Sequence, residues 1–227
     1  MRLTVLIPVY NEVATIRNVI DRVHEIDLGL EKEIVVVDDG STDGTRDVLA
    51  GLPTGLARVF LQPENRGKGA AIRRGIAEAA GDFLVIQDAD LEYDPEDIRK
   101  LLAPVLKGKA QVVYGSRFTG EHRNMFFLHW VGNRFLSLAT NLLYNTTLSD
   151  METGYKLFPV PLLASLGLVS DRFTIEPEMT AKVLKRGVRI YEVPISYTGR
   201  EKHEGKKISW RDGFPALWTL IKCRFTS

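Results

Sequence analysis

The sequence lacks features on which several protein classes depend. Among 227 residues there is one cysteine, Cys223, so an intrachain disulfide framework and a cysteine-based zinc site are excluded, and a reducing cytosol is expected. The net charge is +1, which gives no bulk attraction for nucleic acid, and no nucleic-acid partner is expected. No apolar run is as long as a transmembrane helix, and there is no internal repeat. The "MRLTVLIPVYNE" segment is predicted to be a first strand and not a signal peptide.

Short apolar segments alternate with amphipathic ones in the first half of the chain. The predicted strands are "LTVLIPV", "EIVVVDD", "ARVFL", "DFLVI" and "AQVVYG". Helices are predicted between them, around residues 45–50, 69–80 and 95–106, and after the first strand. The apolar face of that first helix is predicted to consist of Val13, Ile16, Val19, Ile20 and Val23. This alternation indicates an α/β fold with a mostly parallel sheet and helices on both faces.

Capping residues mark the predicted helix starts. Asn11 is the expected N-cap of the first helix, and Asp94, which precedes a proline, is expected to cap the helix that follows it. Glu176 and Glu178 are expected to open a later helix, where negative charge is favourable.

Carboxylates follow two of the predicted strands at the point where each strand ends. Asp38 and Asp39 end the second strand, and Asp88, Asp90 and Glu92 follow the fourth. Because the carboxyl ends of parallel strands share one edge of a sheet, these side chains are expected to converge on one crevice. Carboxylates this close repel one another unless a cation lies between them. Mg²⁺ prefers oxygen ligands and takes one or two carboxylates plus phosphates, so the D-x-D pair is a candidate metal site.

A set of motifs carries a family resemblance. "IPVYNE", "VVVDDGSTDGT", "NRGKGAAIRRGI", "QDADLEYDPE" and "GSRF" occur in an order and spacing that resemble glycosyltransferase family 2, which has the GT-A fold. The segments "LSDMETGYKLF", "EPEMTAKVLKRG" and "YEVPISYTGREKHEGKKI" are similar to the dolichol-phosphate mannose synthase branch of polyprenyl-phosphate glycosyltransferases. The resemblance implies a single GT-A catalytic domain. Its nucleotide-sugar-binding half would span about residues 1–115, its acceptor and phosphate half about 116–208, and a C-terminal amphipathic helix about 209–227.

The resemblance also implies roles for individual residues. It assigns a divalent metal, Mg²⁺ or Mn²⁺, to Asp88 and Asp90, with Glu92 as a further ligand. It implies that the nucleotide sugar is bound by Pro8, Tyr10, Asn11, Glu12, Val37, Asp39, Lys68, Asp88, Ala89, Arg117, Arg134, Arg200 and Lys206. The catalytic residues that it implies are Asp90, Arg117, Asp150 and Arg200.

The implied reaction is an inverting transfer of a hexose, with mannose favoured over glucose, from GDP-mannose or UDP-glucose to a polyprenyl or dolichyl phosphate. A phosphate acceptor is already an anion and needs orientation more than deprotonation. The alternative is a hydroxyl acceptor, a saccharide or a small molecule, with Asp150 or Glu152 as the base. A sugar nucleotidyltransferase is less favoured because "PVYNE" stands where such enzymes carry a glycine-rich loop, and an inactive nucleotide-sugar-binding module is also less favoured.

Apolar residues recur at helical spacing near the C-terminus. The apolar residues are Trp210, Phe214, Leu217, Trp218 and Ile221, and Arg211, Lys222 and Arg224 accompany them. This helix is therefore predicted either to lie in a bilayer interface or to pack against the core. A membrane surface and a membrane-anchoring protein are therefore candidate partners. The expected location is cytoplasmic, peripheral at the cytoplasmic face of a membrane.

Overall fold

A computed structural model describes residues 1–200 and 213–226. Within these residues one sheet contains seven strands: β1 (Arg2–Val9), β2 (Glu31–Asp38), β3 (Arg58–Leu61), β4 (Phe83–Ile86), β5 (Val112–Ser116), β6 (Lys156–Pro159) and β7 (Ile190–Pro194). The strand order is β3-β2-β1-β4-β6-β5-β7. β6 runs antiparallel to both of its neighbours, and the other pairs are parallel. The mostly parallel sheet that the sequence predicts is confirmed.

Helices cover both faces of this sheet. They are α1 (Ile16–Glu25), α2 (Thr45–Ala50), α3 (Lys68–Glu78), α4 (Ile98–Leu106), α5 (Phe127–Tyr144), α6 (Val160–Ser165), α7 (Ile175–Lys185) and α8 (Gly213–Phe225). Val5 and Ile7 of β1 pack into the core cluster beneath α1 and α4, whereas Leu6 packs into the cluster beneath α3, α6 and α7. Alternate residues of one strand thus supply two cores, as a strand covered on both faces requires.

The predicted start of the first helix was wrong. α1 begins at Ile16, and Asn11 lies in the preceding loop with a left-handed φ of 52°. The Asn11 amide donates to Ser41 Oγ at 2.9 Å, and its side-chain oxygen accepts from the Thr42 amide at 2.8 Å. Asn11 therefore ties the end of β1 to the turn after β2, and Val13 in the same loop is exposed rather than part of the buried face. By contrast, the Asp94 cap is confirmed, because its carboxylate accepts from the Glu96 amide.

A buried aromatic group fixes the loop that follows β4. The Tyr155 hydroxyl donates to Gln87 Oε1 at 2.8 Å, and the Tyr155 ring stacks on Tyr93 with centroids 5.2 Å apart. The Gly154 amide donates in turn to the Tyr93 hydroxyl at 3.0 Å. The loop that carries the D-x-D pair is thus held in place by Tyr155, which belongs to the segment before β6.

A close backbone approach positions α3 against the segment before α7. The Ala70 amide donates to the carbonyl oxygen of Asp171 at 3.0 Å, and an added Cβ at Gly69 would overlap the carbonyl oxygen of Ser170.

We expect Gly69→Ala to destabilise the protein by roughly 1–3 kcal/mol, because a backbone carbonyl yields less easily than a side chain. The matched control is Gly132→Ala in α5, where nothing lies within 4 Å of the added atom. This variant should stabilise by about 0.5–1 kcal/mol. Urea unfolding measures both, and equal effects would contradict the assignment.

Candidate active site

One cavity of about 880 Å³ lies at the carboxyl ends of β1, β2 and β4. The convergence that the sequence predicts is found for most of the candidate residues. Those that line the cavity are Pro8, Tyr10, Glu12, Asp39, Lys68, Asp88, Ala89, Asp90, Glu92, Arg117, Glu152 and Arg200. Parallel strand topology therefore brings residues far apart in sequence to one crevice.

Other predicted residues lie elsewhere. Val37 is fully buried within β2, and Asn11 belongs to the loop contact described above. Arg134 lies outside the cavity lining, and its guanidinium donates to the Ser149 carbonyl at 3.4 Å. Lys206 lies outside the described residues.

Asp38 does not reach the crevice, contrary to the sequence prediction. It is fully buried, its carboxylate accepts from the amides of Gly40 and Ser41, and it pairs with Arg46 at 2.7 Å. The side chain therefore closes the turn after β2. Alternation along a strand sends neighbouring residues in opposite directions, which separates Asp38 from Asp39.

Asp39 organises the glycine-containing loop before α3. Its two carboxylate oxygens accept from the amides of Arg66 and Gly67 and from the side chains of Gln62 and Asn65, at 2.7–3.0 Å. Burial raises the pKa of Asp39, although the two backbone donors oppose that shift. Asp39 thereby fixes the loop that delivers Lys68 to the cavity.

Lys68 neutralises the first carboxylate of the D-x-D pair. Its Nζ lies 2.8 Å from Asp88 Oδ1 and 2.9 Å from Glu176 Oε1, so one ammonium group bridges the D-x-D loop and the first turn of α7. The prediction that Glu176 and Glu178 open a helix is confirmed. The bridge from Glu176 to Lys68 was not foreseen from the sequence, because it joins residues that are 108 positions apart.

Arg200 neutralises the second carboxylate. Its Nη2 lies 3.0 Å from Asp90 Oδ2, and its two terminal nitrogens donate to the two oxygens of Glu12 at 3.0 and 2.9 Å. The Arg200 amide donates to Glu92 Oε1 at 2.7 Å, and the Tyr197 hydroxyl donates to Glu92 Oε2 at 2.9 Å. Both oxygens of Glu92 thus accept hydrogen bonds from the segment that follows β7.

These two protein cations leave negative charge uncompensated. Burial and the charges of Asp88 and Glu92 raise the pKa of Asp90 to about 7, although Arg200 opposes the shift. Such a site fits a further cation. Within the described part of the chain no three His, Cys, Asp or Glu side chains form a ready metal cluster. Two carboxylates completed by phosphate oxygens are a usual Mg²⁺ arrangement, so Asp88 and Asp90 fit a metal held jointly with a diphosphate.

Arg117 is held by a buried carboxylate. Its Nε and Nη2 donate to the two oxygens of Asp150, each at 2.7 Å, and Nη2 also donates to Asn133 Oδ1 at 3.1 Å. The Arg117 amide donates to Asp150 as well. Asp150 is fully buried and both of its oxygens are occupied, so it acts as an orienting group for Arg117. Asn133 lies on α5, and no sequence motif pointed to it.

Two more ionisable residues, Glu152 and Lys156, lie in the segment that follows Asp150. Burial and the charge of Glu176 raise the pKa of Glu152 to about 7. Lys156 is fully buried, and burial lowers its pKa to about 8. The Lys156 ammonium donates to the carbonyl oxygens of Met151, at 2.9 Å, and Thr153. It therefore braces the turn that carries Glu152.

The other end of the same cavity is apolar. Its walls there come from α5 and α8, through Leu128, Val131, Phe135, Phe214 and Leu217. α8 packs against the core on one side, because Ala216 and Leu220 are buried against α5 and α7. Phe214 and Trp218 are exposed, and contact with a bilayer stays a prediction. Trp210 and Arg211 lie outside the described residues.

α5 has an inverted distribution of polarity. Three of its four buried residues, Asn133, Ser137 and Thr140, are polar. Its exposed side carries Phe127, Leu128, Val131, Phe135, Leu138 and Leu142, of which Leu128 is 81% exposed and Leu142 78%. A water-facing helix ordinarily shows the opposite arrangement. No helix in the described part of the chain is both long and apolar enough to span a bilayer.

The ion pairs of Arg200 predict how tightly the protein binds Mn²⁺ when no nucleotide is present. Arg200→Gln removes the cation that competes for Asp90 and Glu12, so Mn²⁺ should bind on the order of tenfold more tightly. Asp90→Asn should weaken binding, because it removes an anionic ligand. Arg134→Gln changes the net charge equally but lies outside the cavity, and it should leave the affinity unchanged. Calorimetric titration measures all three. Unchanged or weaker Mn²⁺ binding by Arg200→Gln would show that Arg200 does not occupy the cation position.

Known relatives of this chain include proteins that are named as glycosyltransferases. Glycosyltransferase AglJ of Haloferax volcanii is 32% identical over 198 residues, which cover 86% of this chain and 63% of AglJ. This chain therefore spans less than two thirds of the length of AglJ. The UDP-N-acetylglucosamine–dolichyl-phosphate N-acetylglucosaminyltransferase of Methanococcus voltae is 28% identical over 239 residues, which cover 95% of this chain and 93% of that protein.

Solved structures share the fold. Glucosyl-3-phosphoglycerate synthase from Mycobacterium tuberculosis, in complex with phosphoglyceric acid, matches with a TM-score of 0.74 and 25% identity, covering 97% of this chain and 79% of that one. A complex of the same enzyme with Mn²⁺, UDP and glucosyl-3-phosphoglycerate matches with a TM-score of 0.70 and 24% identity, with the same coverage. The model of the family described as glycosyl transferase family 2 matches residues 4–166. With its GT-A fold and this match over most of its length, the chain belongs to glycosyltransferase family 2.

Proposed function

We propose that this glycosyltransferase moves a hexose from a nucleotide sugar to a polyprenyl phosphate at a membrane surface. The observation that carries the proposal is the two-ended cavity. Paired carboxylates and protein cations line one end, and apolar side chains of α5 and α8 line the other. A nucleotide diphosphate suits the first end, and an acceptor with a phosphate head and a hydrocarbon tail suits both.

The donor end supports a divalent metal and a nucleotide diphosphate. Asp88 and Asp90 would hold Mg²⁺ or Mn²⁺, which when bound neutralises charge on a leaving diphosphate. The mycobacterial enzyme of the same fold binds Mn²⁺ with UDP, and the Methanococcus relative is named for a UDP-sugar donor. These names favour a uridine nucleotide over a guanosine nucleotide. The preference for mannose, and with it GDP-mannose, stays a prediction.

The chemistry would be one in-line displacement. An oxygen of the acceptor phosphate attacks C1 of the hexose, the bond from C1 to the diphosphate oxygen breaks, and the configuration at C1 inverts. Asp150 and Asn133 take the Nε and Nη2 donors of Arg117 and thereby orient its guanidinium beside the cavity. A phosphate oxygen would therefore be met by Nη1 and by the positive charge, and not by a two-nitrogen fork. Arg200 would exchange its contact with Asp90 for the diphosphate. The attacking phosphate is an anion, so the protein need only orient it.

A hydroxyl acceptor is the alternative, and one observation bears on which residue would be its base. Asp150 has both oxygens occupied by Arg117, whereas Glu152 lines the cavity with a pKa of about 7. A general base works best with a pKa near the operating pH. In that alternative Glu152, and not Asp150, would take the proton.

The apolar surface supports a peripheral location at the cytoplasmic face of a membrane. α5 and α8 contain no aspartate or glutamate, and Arg134, Lys222 and Arg224 are their charged residues. Apolar faces with basic residues at the rim suit the interface of an anionic bilayer. The dolichyl-phosphate acceptor in the name of the Methanococcus relative is in keeping with this surface. A membrane-anchoring partner protein stays a prediction.

The two acceptor classes differ in how the rate depends on pH. At saturating donor and subsaturating polyprenyl phosphate, the rate should rise through about pH 6 and then level off, because a phosphate monoester loses its second proton there. Asp150→Asn should lower the rate by misplacing Arg117 while keeping the shape of this profile, and Glu152→Gln should also keep the shape.

The control is a soluble saccharide acceptor, tested with UDP-glucose, UDP-N-acetylglucosamine and GDP-mannose as donors. The proposal fails if no polyprenyl phosphate is glycosylated while a soluble alcohol is. Near-complete loss of that transfer in Glu152→Gln would establish the hydroxyl alternative.

A further inference from the structure

Two buried carboxylate oxygens in the cavity have no hydrogen-bond partner. Within the described residues, Glu152 Oε1 and Glu176 Oε2 are the buried side-chain oxygens that accept no hydrogen bond. Both residues line the cavity. A buried acceptor without a hydrogen bond is energetically unfavourable. Such a pair in a cavity therefore indicates a ligand that brings hydrogen-bond donors.

The protein holds both carboxylates in place. Glu176 Oε1 is fixed by Lys68, which leaves the other oxygen of the same carboxylate unpaired. The turn that carries Glu152 is braced by Lys156 below it and by the Ser137 hydroxyl, which accepts from the Met151 amide at 3.1 Å. Preorganised groups of this kind lose little conformational entropy when a ligand binds.

The position of these oxygens narrows the choice of ligand. Lys68 joins Glu176 directly to Asp88, so the acidic pair lies beside the place proposed for the donor diphosphate. The diphosphate and an acceptor phosphate are anions that carboxylates repel, and a hydrocarbon tail has no donors. Two groups attached to the diphosphate carry O–H donors, the ribose and the hexose. Glu152 lies close enough to Arg117 to feel its charge, and Arg117 is the residue proposed for the acceptor phosphate. The hexose is the part of the donor that faces the acceptor, so it is the group that these carboxylates would meet.

We propose that Glu152 and Glu176 form the subsite that receives hydroxyl groups of the transferred sugar. This inference rests on the proposed function, because it takes the donor to be a nucleotide sugar. The subsite makes Glu152 a specificity-determining residue: a donor that lacks the contacted hydroxyl leaves a buried carboxylate oxygen unpaired and is rejected. In the phosphate-acceptor reaction Glu152 then binds the sugar and takes no proton.

The test separates sugar binding from nucleotide binding. Dissociation constants are measured with Mn²⁺ for two pairs of ligands, UDP with UDP-glucose and GDP with GDP-mannose. In each pair the dissociation constant of the nucleoside diphosphate divided by that of the nucleotide sugar gives the contribution of the sugar. The measurement is made at about pH 8, because the pKa of Glu152 is raised to about 7 and its carboxyl must be ionised. In Glu152→Gln this ratio should fall by about tenfold for the pair that the wild type prefers, since a charged acceptor binds a hydroxyl more strongly than a neutral one. The affinity for the free nucleotide diphosphate should stay unchanged. Deoxy-sugar donors should lose affinity in the wild type, and that loss should shrink in the variant.

Glu178 provides the matched control. It lies in the same helix as Glu176 and is equally buried, but the amides of Val169 and Ser170 and the Lys182 ammonium satisfy its carboxylate. Glu176→Gln should therefore lower the ratio, and Glu178→Gln should not. The inference is overturned if Glu152→Gln leaves the ratio unchanged or weakens both ligands of a pair equally. It is also overturned if the sugar adds no affinity in the wild type. Absence of any nucleotide binding by the wild type would instead refute the proposed function, and the subsite with it.

Discussion

Compensation of negative charge at one edge of the sheet is the constraint on which the site depends. The fold brings Asp88, Asp90 and Glu12 together at the carboxyl ends of the strands, and Lys68 and Arg200 hold them there. Neither cation is adjacent in sequence to the carboxylates that it pairs with. Folding of the loop before α3 and of the segment after β7 is therefore coupled to the D-x-D loop. Two cations here face five carboxylates, those of Glu12, Asp88, Asp90, Glu92 and Glu176, so this compensation is incomplete.

Incomplete compensation has a chemical consequence. A diphosphate alone would add negative charge beside carboxylates, and a divalent cation alone would have to compete with Arg200. A metal–diphosphate complex would meet both requirements under the proposed function, because Asp88 and Asp90 would hold the cation and Arg200 would be free to meet phosphate oxygens. Arg117 is kept from this exchange by Asp150, which holds its guanidinium in one orientation. Under the proposed function Arg200 would change partners, whereas Arg117 would keep its own.

The apolar end of the cavity follows from the inverted α5. Because Asn133 and Ser137 face inward, α5 supplies polar support to Arg117 and to the Met151 amide. Its apolar residues are left on the outside, next to those of α8. α5 thus contributes polar contacts to the charged site on its buried side and an apolar surface on its exposed side.

The sequence was sufficient to predict β1 to β5, the shared edge and the D-x-D pair, because apolar runs and the residues that end them are local signals. β6 and β7 were not predicted. It was not sufficient for Asn11 or Asp38, whose partners lie in turns that a pattern does not define. The bridge from Lys68 to Glu176 and the contact of Asn133 with Arg117 also depend on packing between distant segments. α5 was not among the predicted helices, and its outward apolar face could not have been read from the sequence. An apolar helix face is ordinarily taken as core, and only the tertiary structure shows which face is outside.

The most direct test of a cavity with a charged and an apolar end is a series of isoprenyl monophosphates of increasing chain length, used as acceptors with one donor. The head group and its charge stay constant, so only apolar contact changes along the series. We predict that KM falls stepwise as the chain lengthens, and that Phe135→Ser flattens this dependence while Tyr191→Ser, at an exposed position outside the cavity lining, does not. A kcat/KM that is independent of chain length in the wild type would contradict the account.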